Sequence, residues 1–175
     1  MSHDPLVDAD AGRRSFLKRL ATLLGCFLAG AAGVPLVGAA LAPAARRGGA
    51  QTVALGAAAD FPTGEPRMIT FGVLKADGYL STTLPRAVWV RRLTDGRIDV
   101  FNARCTHLGC LISYRPDSQT FLSPCHGGVF ALSDGAVLEG PPPRPLDRLE
   151  ARVENGQVVV DYRDFLVGVP DRVPL

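Results

Sequence analysis

Two short stretches decide the fold and the chemistry of this 175-residue chain: Cys105-Thr106-His107-Leu108-Gly109-Cys110 and Ser123-Pro124-Cys125-His126-Gly127-Gly128. Together they contain three of the four cysteines and two of the three histidines, because only Cys26 and His3 lie elsewhere. Cysteine and histidine are the side chains that bind soft metal ions and iron–sulfur groups. Their concentration predicts one shared site built from both stretches.

Three plainer interpretations compete with a redox site: a disulfide with incidental histidines, a structural zinc site, or reduced thiols in the core. Zinc sites usually separate paired ligands by two or more residues. Here one residue separates Cys105 from His107, and Cys125 adjoins His126, so zinc is disfavoured. Reduced thiols are disfavoured by the export signal described below, since thiols oxidise outside the cytoplasm.

The sequence around the two stretches predicts antiparallel strands. The dipeptides Asp95-Gly96, Asp134-Gly135 and Asn155-Gly156 separate short runs rich in β-branched and aromatic residues, a strong signal of hairpins. Three consecutive valines, residues 158–160, indicate a strand buried on both faces. We therefore predict an all-β antiparallel sandwich over residues 67–162 and leave the Pro- and Gly-rich tail, residues 163–175, unassigned.

Composition excludes two classes of protein. A chain of this length provides one domain with attachments, so a large multidomain enzyme is excluded. Nineteen Lys and Arg against 17 Asp and Glu give a net charge of +2. Because no basic patch accompanies this balance, nucleic acid is not an expected partner.

The N-terminal segment predicts a membrane anchor with an export signal. Residues 20–45 carry no charge, and a helix of that length exceeds the roughly 30 Å hydrocarbon core of a bilayer. The preceding Arg13-Arg14-Ser15-Phe16-Leu17-Lys18 resembles a twin-arginine export signal. A cleaved signal peptide is the alternative, with Val37-Gly38-Ala39 or Ala40-Leu41-Ala42 as cleavage site, but the apolar run is longer than such signals need.

Charges flanking the apolar run predict its orientation. Four basic residues precede it and two closely follow it: Arg13, Arg14, Lys18 and Arg19, then Arg46 and Arg47. The positive-inside rule places the N-terminus in the cytoplasm and the later residues on the periplasmic side of the inner membrane. We predict a cytoplasmic tail at 1–19, a single-pass anchor at 20–45, an Ala- and Gly-rich linker or hinge at 46–66, and a folded domain at 67–175.

The two stretches resemble the Rieske iron–sulfur protein, whose motif is C-T-H-L-G-C followed by C-P-C-H-G. The first match is complete over its six residues, and Gly140-Pro141-Pro142-Pro143-Arg144-Pro145-Leu146 resembles the family's proline loop, which shields the cluster. With the export signal and single anchor, the resemblance covers nearly the whole chain. It is closest to the Rieske subunits of bacterial menaquinol or ubiquinol:cytochrome c reductases of the cytochrome bc type.

The resemblance implies a Rieske-type β-sandwich whose two loops hold a 2Fe-2S cluster. Cys105 would bind the inner iron, while His107 and His126 would bind the outer iron and exchange the quinol proton. Cys110 and Cys125 match the pair that forms a disulfide between the loops. Leu108 matches an exposed apolar tip that docks on cytochrome b. The implied function is oxidation of quinol and delivery of the electron to a c-type cytochrome.

Ser123 departs from the pattern, because the family has its second thiolate ligand there. Ser123 could bind iron as an alkoxide, although a hard oxygen donor suits the cluster poorly. Cys125 could be recruited in its place, which would abandon the disulfide. The domain could instead be a cluster-free structural subunit, or the serine could reflect a mutation or sequencing error. A further rival is the small Rieske subunit of an arsenite-oxidase-like enzyme.

Two smaller departures predict a low redox potential. High-potential members have a serine and a tyrosine two and four residues beyond the second ligand histidine, and both hydroxyls donate hydrogen bonds to sulfur. Those positions here are Gly128 and Phe130. Loss of the donors leaves the reduced state less stabilised, which lowers the potential and suits a menaquinol donor.

Overall fold

The N-terminal unit of the chain contains one long helix, α1, which runs from Pro5 to Ala45. The computed structural model describes residues 5–45, 49–77 and 80–175, so residues 46–48 of the predicted linker lie outside the described residues. Proline is favoured in the first turn of a helix, and the Ala and Leu residues that follow are strong helix formers. Within α1, the segment Gly12–Ala40 is long and apolar enough to cross a membrane.

Helix α1 is longer than the sequence predicted. It contains the predicted anchor, residues 20–45, but it already begins at Pro5, inside the predicted tail. Large apolar side chains along it, such as Phe16, Leu23 and Phe27, are more than half exposed. Lipid contact would cover such side chains, because a helix that is apolar on all sides needs an apolar environment.

The second unit, which begins at Gly48, is built from strands and is described here by itself. Within its described residues there are ten strands: β1 (Gln51–Ala57), β2 (Arg67–Asp77), β3 (Leu80–Arg92), β4 (Ile98–Asn102), β5 (Ser113–Arg115), β6 (Thr120–Ser123), β7 (Gly128–Ala131), β8 (Val137–Glu139), β9 (Arg148–Glu154) and β10 (Gln157–Tyr162). The prediction of an all-β antiparallel fold is confirmed. The three predicted turn dipeptides join β3 to β4, β7 to β8 and β9 to β10.

Strand β1 corrects the predicted linker. Residues 46–66 were expected to form a linker, but Gln51–Ala57 pairs antiparallel with β10. Local composition misled the prediction, because strand formation depends on packing against neighbours more than on intrinsic preference. Leu55 is buried in the core beside Val53. Gly56 adopts a φ of 134°, which accommodates the register shift between Ala54 and Gly56.

The larger sheet has the strand order β1-β10-β9-β4-β3-β2 and closes almost into a barrel. Its two edge strands meet at Gln51, whose Nε2 donates to the Leu74 carbonyl at 2.6 Å and whose Oε1 accepts from the Leu74 amide at 3.1 Å. The enclosed core includes Val158 and Val160, which are fully buried. Val159 between them is also buried, so the predicted two-faced burial of this strand is confirmed.

The smaller sheet, in the order β5-β6-β7-β8, lies in the chain between β4 and β9. It has a core of its own, in which Phe101, Phe121 and Phe130 are almost completely buried. Cys105 belongs to this core, and its side chain is 2% exposed. The smaller sheet therefore carries the cysteine- and histidine-rich stretches on a rigid base.

Candidate functional site

Two loops emerge from the smaller sheet and its junction with β4. Loop 1, residues 105–110, closes on itself, because the Cys105 amide donates to the Cys110 carbonyl at 2.8 Å and the Gly109 amide donates to the Cys105 carbonyl at 2.9 Å. Loop 2, residues 123–128, is the tight connection between β6 and β7, in which Ser123 pairs with Gly128. Both loops thus have fixed backbones.

A disulfide joins the two loops. It links Cys110 of loop 1 to Cys125 of loop 2, with the Cα atoms 6.5 Å apart. This is the pairing that the family resemblance implied. Because its sulfur is bonded to Cys110, Cys125 has no thiolate to offer as a substitute iron ligand.

The imidazoles of His107 in loop 1 and His126 in loop 2 lie close together. The ring centroids of His107 and His126 are 4.7 Å apart, and the rings are nearly perpendicular at 84°. His126 is exposed, whereas Nδ1 of His107 is buried without a hydrogen-bond partner among the described residues. A buried nitrogen without a partner is costly unless it binds something else. Together with the free, buried thiol of Cys105, this orphaned atom fits a metal–sulfur group between the loops.

Ser123 occupies the sequence position at which the resemblance implied a fourth ligand. It is the last residue of β6 and is only 2% exposed. The donor set is therefore one thiol, two imidazoles and one hydroxyl, so it fits a 2Fe-2S group at three positions and offers oxygen at the fourth. Among the described residues, no three His, Cys, Asp or Glu side chains converge on a single metal-ion position.

The proline loop, residues 140–146, packs directly on loop 2. A Cβ placed on Gly140 would lie 2.8 Å from the Gly127 carbonyl oxygen, and one placed on Gly128 would lie 2.7 Å from Pro142 Cγ. Both distances are shorter than real Cβ contacts, so a side chain at 140 or 128 would force the neighbouring loop to shift. Gly128 was predicted only to lack a hydroxyl donor, and the structure adds this steric reason for a glycine there. Phe130 is fully buried.

Leu108 is exposed at the end of loop 1. Its side chain is 59% exposed, and Leu111 and Leu138 are similarly exposed. An exposed leucine at this point agrees with the apolar tip that the resemblance implied.

A polar cluster centred on Asp164 supports loop 1, and none of its residues was predicted to belong to the site. The Asp164 carboxylate accepts hydrogen bonds from Arg86, Arg104 and Tyr162 at 2.8 to 3.2 Å. Arg104 directly precedes loop 1, and its guanidinium occupies the space beside Gly109, where an added Cβ would lie 2.7 Å from Nη2. No local pattern revealed the cluster, because these partners are up to 78 residues apart in sequence.

The same contacts shift two pKa values. Burial acts to raise the pKa of Asp164, but hydrogen bonds from Arg86 and Tyr162 and the charges of Arg86 and Arg104 outweigh it, so the pKa is lowered. The pKa of the Tyr162 hydroxyl is raised, first by burial and then by its hydrogen bond to the carboxylate. Asp164 is therefore the charged acceptor and Tyr162 the neutral donor at neutral pH.

Asp164→Asn should destabilise the domain by about 1–3 kcal/mol at pH 7, because two partly buried arginines lose their counter-charge. A lowered folded-state pKa means that this contribution is fully present above the unfolded pKa near 4 and disappears as the pH falls through the folded pKa. Urea unfolding of the detergent-solubilised chain over a pH series checks this. In strong acid, parent and variant should have the same free energy of unfolding. The control is Asp95→Asn, which removes the charge of an exposed pair with Arg97 and should lower the free energy of unfolding much less. A variant as stable as the parent at pH 7 would contradict the prediction.

The fold and the paired loops define a class of protein, and the chain belongs to the Rieske [2Fe-2S] domain family, which matches residues 51–155. The matched region begins at the first residue of β1, in agreement with the corrected domain boundary.

The chain is also similar to individual proteins that are named as iron–sulfur subunits. It is 32% identical over 151 residues to the menaquinol:cytochrome c reductase iron-sulfur subunit of Bacillus subtilis (strain 168), covering 84% of this chain and 89% of that protein. It is 29% identical over 155 residues to the cytochrome b6-f complex iron-sulfur subunit of Chlorobaculum tepidum, covering 89% and 78%. Among solved structures, the cyanobacterial plasma membrane Rieske protein PetC3 from Synechocystis PCC 6803 shares 25% identity over 63% of this chain and 99% of that chain, with a TM-score of 0.43.

Proposed function

We propose that the chain is the electron-transfer subunit of a quinol:cytochrome c oxidoreductase and carries a Rieske 2Fe-2S cluster between loops 1 and 2. The observation that carries the proposal is the pair of imidazoles, His107 and His126, held 4.7 Å apart on two disulfide-linked loops. The unpartnered, buried Nδ1 of His107 supports it. The names of the relatives support it as well, since one is the iron–sulfur subunit of a menaquinol:cytochrome c reductase and the other that of a cytochrome b6-f complex.

The four proposed ligands would bind two different irons. Cys105 and Ser123 would hold the inner iron, and His107 and His126 would hold the outer iron. When bound, the cluster would accept one electron and pass it on. We propose Ser123 rather than Cys125 as the fourth ligand, because the Cys125 sulfur is engaged in the disulfide and adjoins His126.

The imidazoles are the proposed proton acceptors. His126 is exposed, and His107 is partly exposed although its Nδ1 is buried, so both side chains could be reached by a quinol hydroxyl. Each histidine would thus bind inward through one nitrogen and hold the quinol proton on the other. The proline loop, with Pro142 buried against Gly128, excludes water from the inner side.

Leu108 and its exposed neighbour Leu111 would dock the site on cytochrome b, and a c-type cytochrome would receive the electron after movement of the domain. The relatives support these cytochrome partners by their names. Because β1 is part of the folded domain, the hinge would lie before Gln51. The missing hydroxyl donors at Gly128 and Phe130 favour a low-potential quinol such as menaquinol.

Helix α1 is proposed as the retained anchor, exported by the twin-arginine pair Arg13 and Arg14. The excess of basic residues before residue 20 supports a cytoplasmic N-terminus and a Rieske domain on the periplasmic side of the inner membrane.

Purification from the membranes of the native organism tests the function. We expect the chain to require detergent for extraction, to contain about two irons and to show the electron spin resonance signal of a reduced Rieske cluster. It should accompany cytochrome b and be reduced by added quinol. An iron-free chain in an active complex would support the cluster-free structural subunit, which Ser123 favours. Association with an arsenite-oxidising subunit would support that rival, and a soluble periplasmic chain would refute the anchor.

A further inference from the structure

The C-terminal tail, left unassigned by the sequence, contacts the site through one buried arginine. Arg144 of the proline loop is 6% exposed, and it donates to both carboxylate oxygens of Asp147 at 2.9 and 3.3 Å. Its remaining contacts reach the tail: Nη1 donates to the Val169 carbonyl at 2.7 Å and Nη2 to the Leu166 carbonyl at 2.9 Å. Asp147 alone balances the charge of Arg144. The ion pair therefore does not explain why the guanidinium also donates to two carbonyls of the tail.

The backbone of the same arginine contacts loop 1. The fully buried Thr106 donates through Oγ1 to the Arg144 carbonyl at 2.7 Å. On its other side, the Thr106 carbonyl accepts from the Gly168 amide at 2.9 Å. Gly168 lies in the tail between the two carbonyls that Arg144 binds. Thr106 is thus held between the proline loop and the tail, and the Arg144 side chain holds those two segments together.

The next residue of loop 1 is the proposed ligand His107, and the tail contacts it. Gly168 has a φ of 77°, and a Cβ placed on it would lie 3.4 Å from the His107 carbonyl oxygen. The tail therefore lies beside the backbone of His107, and an added Cβ at Gly168 would be in van der Waals contact with it. A shift of the tail would be transmitted to the backbone that directs the buried Nδ1.

We propose that Arg144 is a positioning residue of the site, which clamps tail residues 166–169 against Thr106 and His107 and so fixes the direction of the His107 imidazole. Arginine suits this role because its planar guanidinium presents several donors in a fixed arrangement, and a lysine ammonium cannot bridge a carboxylate and two separate carbonyls in the same way. The clamp itself needs no cluster, but its consequence for electron transfer rests on the proposed function.

The sharpest test is Gly168→Ala compared with Gly156→Ala. Both glycines have a φ of 77°, but a Cβ at Gly156 would lie in open space, whereas one at Gly168 would contact His107. The two variants therefore carry the same backbone strain, but at position 168 that strain falls on the residue whose amide donates to the Thr106 carbonyl. Amide hydrogen exchange of a loop 1 peptide is measured on the full detergent-solubilised chain, as purified and after iron removal.

We expect loop 1 amides to exchange about tenfold faster in Gly168→Ala than in the parent, and at the parental rate in Gly156→Ala. In chain that holds iron, Gly168→Ala should also change the shape of the electron spin resonance signal, which depends on ligand orientation and which a loss of global stability would not alter. Equal loop 1 exchange in the two variants, with unchanged spectra, would overturn the proposal.

Arg144→Lys is the second variant, since it keeps a positive charge near Asp147. It should accelerate exchange in loop 1 and in the tail while leaving β10 protected, and protection of the tail at the parental level would overturn the clamp. If this variant fails to fold, the Gly168→Ala comparison still decides. A parent without iron would refute the proposed function, but the exchange measurements would still test the clamp.

Discussion

Ser123→Cys is expected to increase the iron content of the chain and to raise its redox potential, the largest effect that a single substitution should have here. The variant restores a thiolate at the buried end of β6, opposite Gly128, where Cys105, His107 and His126 already provide the other proposed ligands. Thiolate matches cluster iron better than a serine oxygen does, so assembly should be more complete. The less basic thiolate also stabilises ferric iron less than an alkoxide would, which favours the reduced state.

We expect a rise on the order of 60 mV, which corresponds to a tenfold change in a one-electron equilibrium. The potential should remain below that of members with both hydroxyl donors, because Gly128 and Phe130 are unchanged. Iron per chain and redox titration of the electron spin resonance signal are compared in parent and variant. Ser113→Cys, an exposed position on β5, controls for an added thiol.

A parent that already holds two irons, with a potential unchanged by the substitution, would show that Ser123 is not a ligand. A variant that stays free of iron would show that the scaffold no longer assembles a cluster. The structural-subunit alternative would then replace the proposed function.

Removing the disulfide with Cys110→Ser and Cys125→Ser together should lower the free energy of unfolding by about 3 kcal/mol, because the bond closes a loop with a sequence separation of 15 residues. It should also lower iron retention, since the bond joins the loops that carry His107 and His126. Urea unfolding without reductant and iron content after gel filtration measure the two effects.

The control for this experiment is Cys26→Ser, which removes an exposed free thiol of helix α1. It should leave both quantities unchanged. Addition of reductant should shift the parent toward the double variant. Equal unfolding free energy and equal iron in parent and double variant would contradict a role of the bond in holding the loops.

The antiparallel framework was predictable because its signals are local. A turn dipeptide such as Asn155-Gly156 and the neighbouring valine run occupy a few adjacent residues, and the structure places β9 and β10 around them. Strand β1 was not predictable in this way. Its Ala- and Gly-rich sequence becomes a strand only by pairing with β10, more than 100 residues later, and no local pattern reports such a partner.

The same difference between local and long-range signals decided which parts of the candidate site were predictable. The two loops were visible because cysteine and histidine cluster in sequence, and the family motif supplied their pairing. The supports of the loops were not visible, since Arg144 reaches Leu166 and Val169 over 22 and 25 residues. An arginine or a glycine in a Pro-rich segment carries no sign of such a contact.

The contact between Gly128 and Pro142 constrains how this protein could evolve a higher potential. A serine at position 128 would introduce a hydroxyl donor, but its Cβ would lie 2.7 Å from Pro142 Cγ. The serine therefore requires Pro142 to shift, so this donor is gained only together with a rearrangement of the proline loop. The potential of the site and the packing of the proline loop are thus coupled, so a substitution at position 128 that tunes one also disturbs the other.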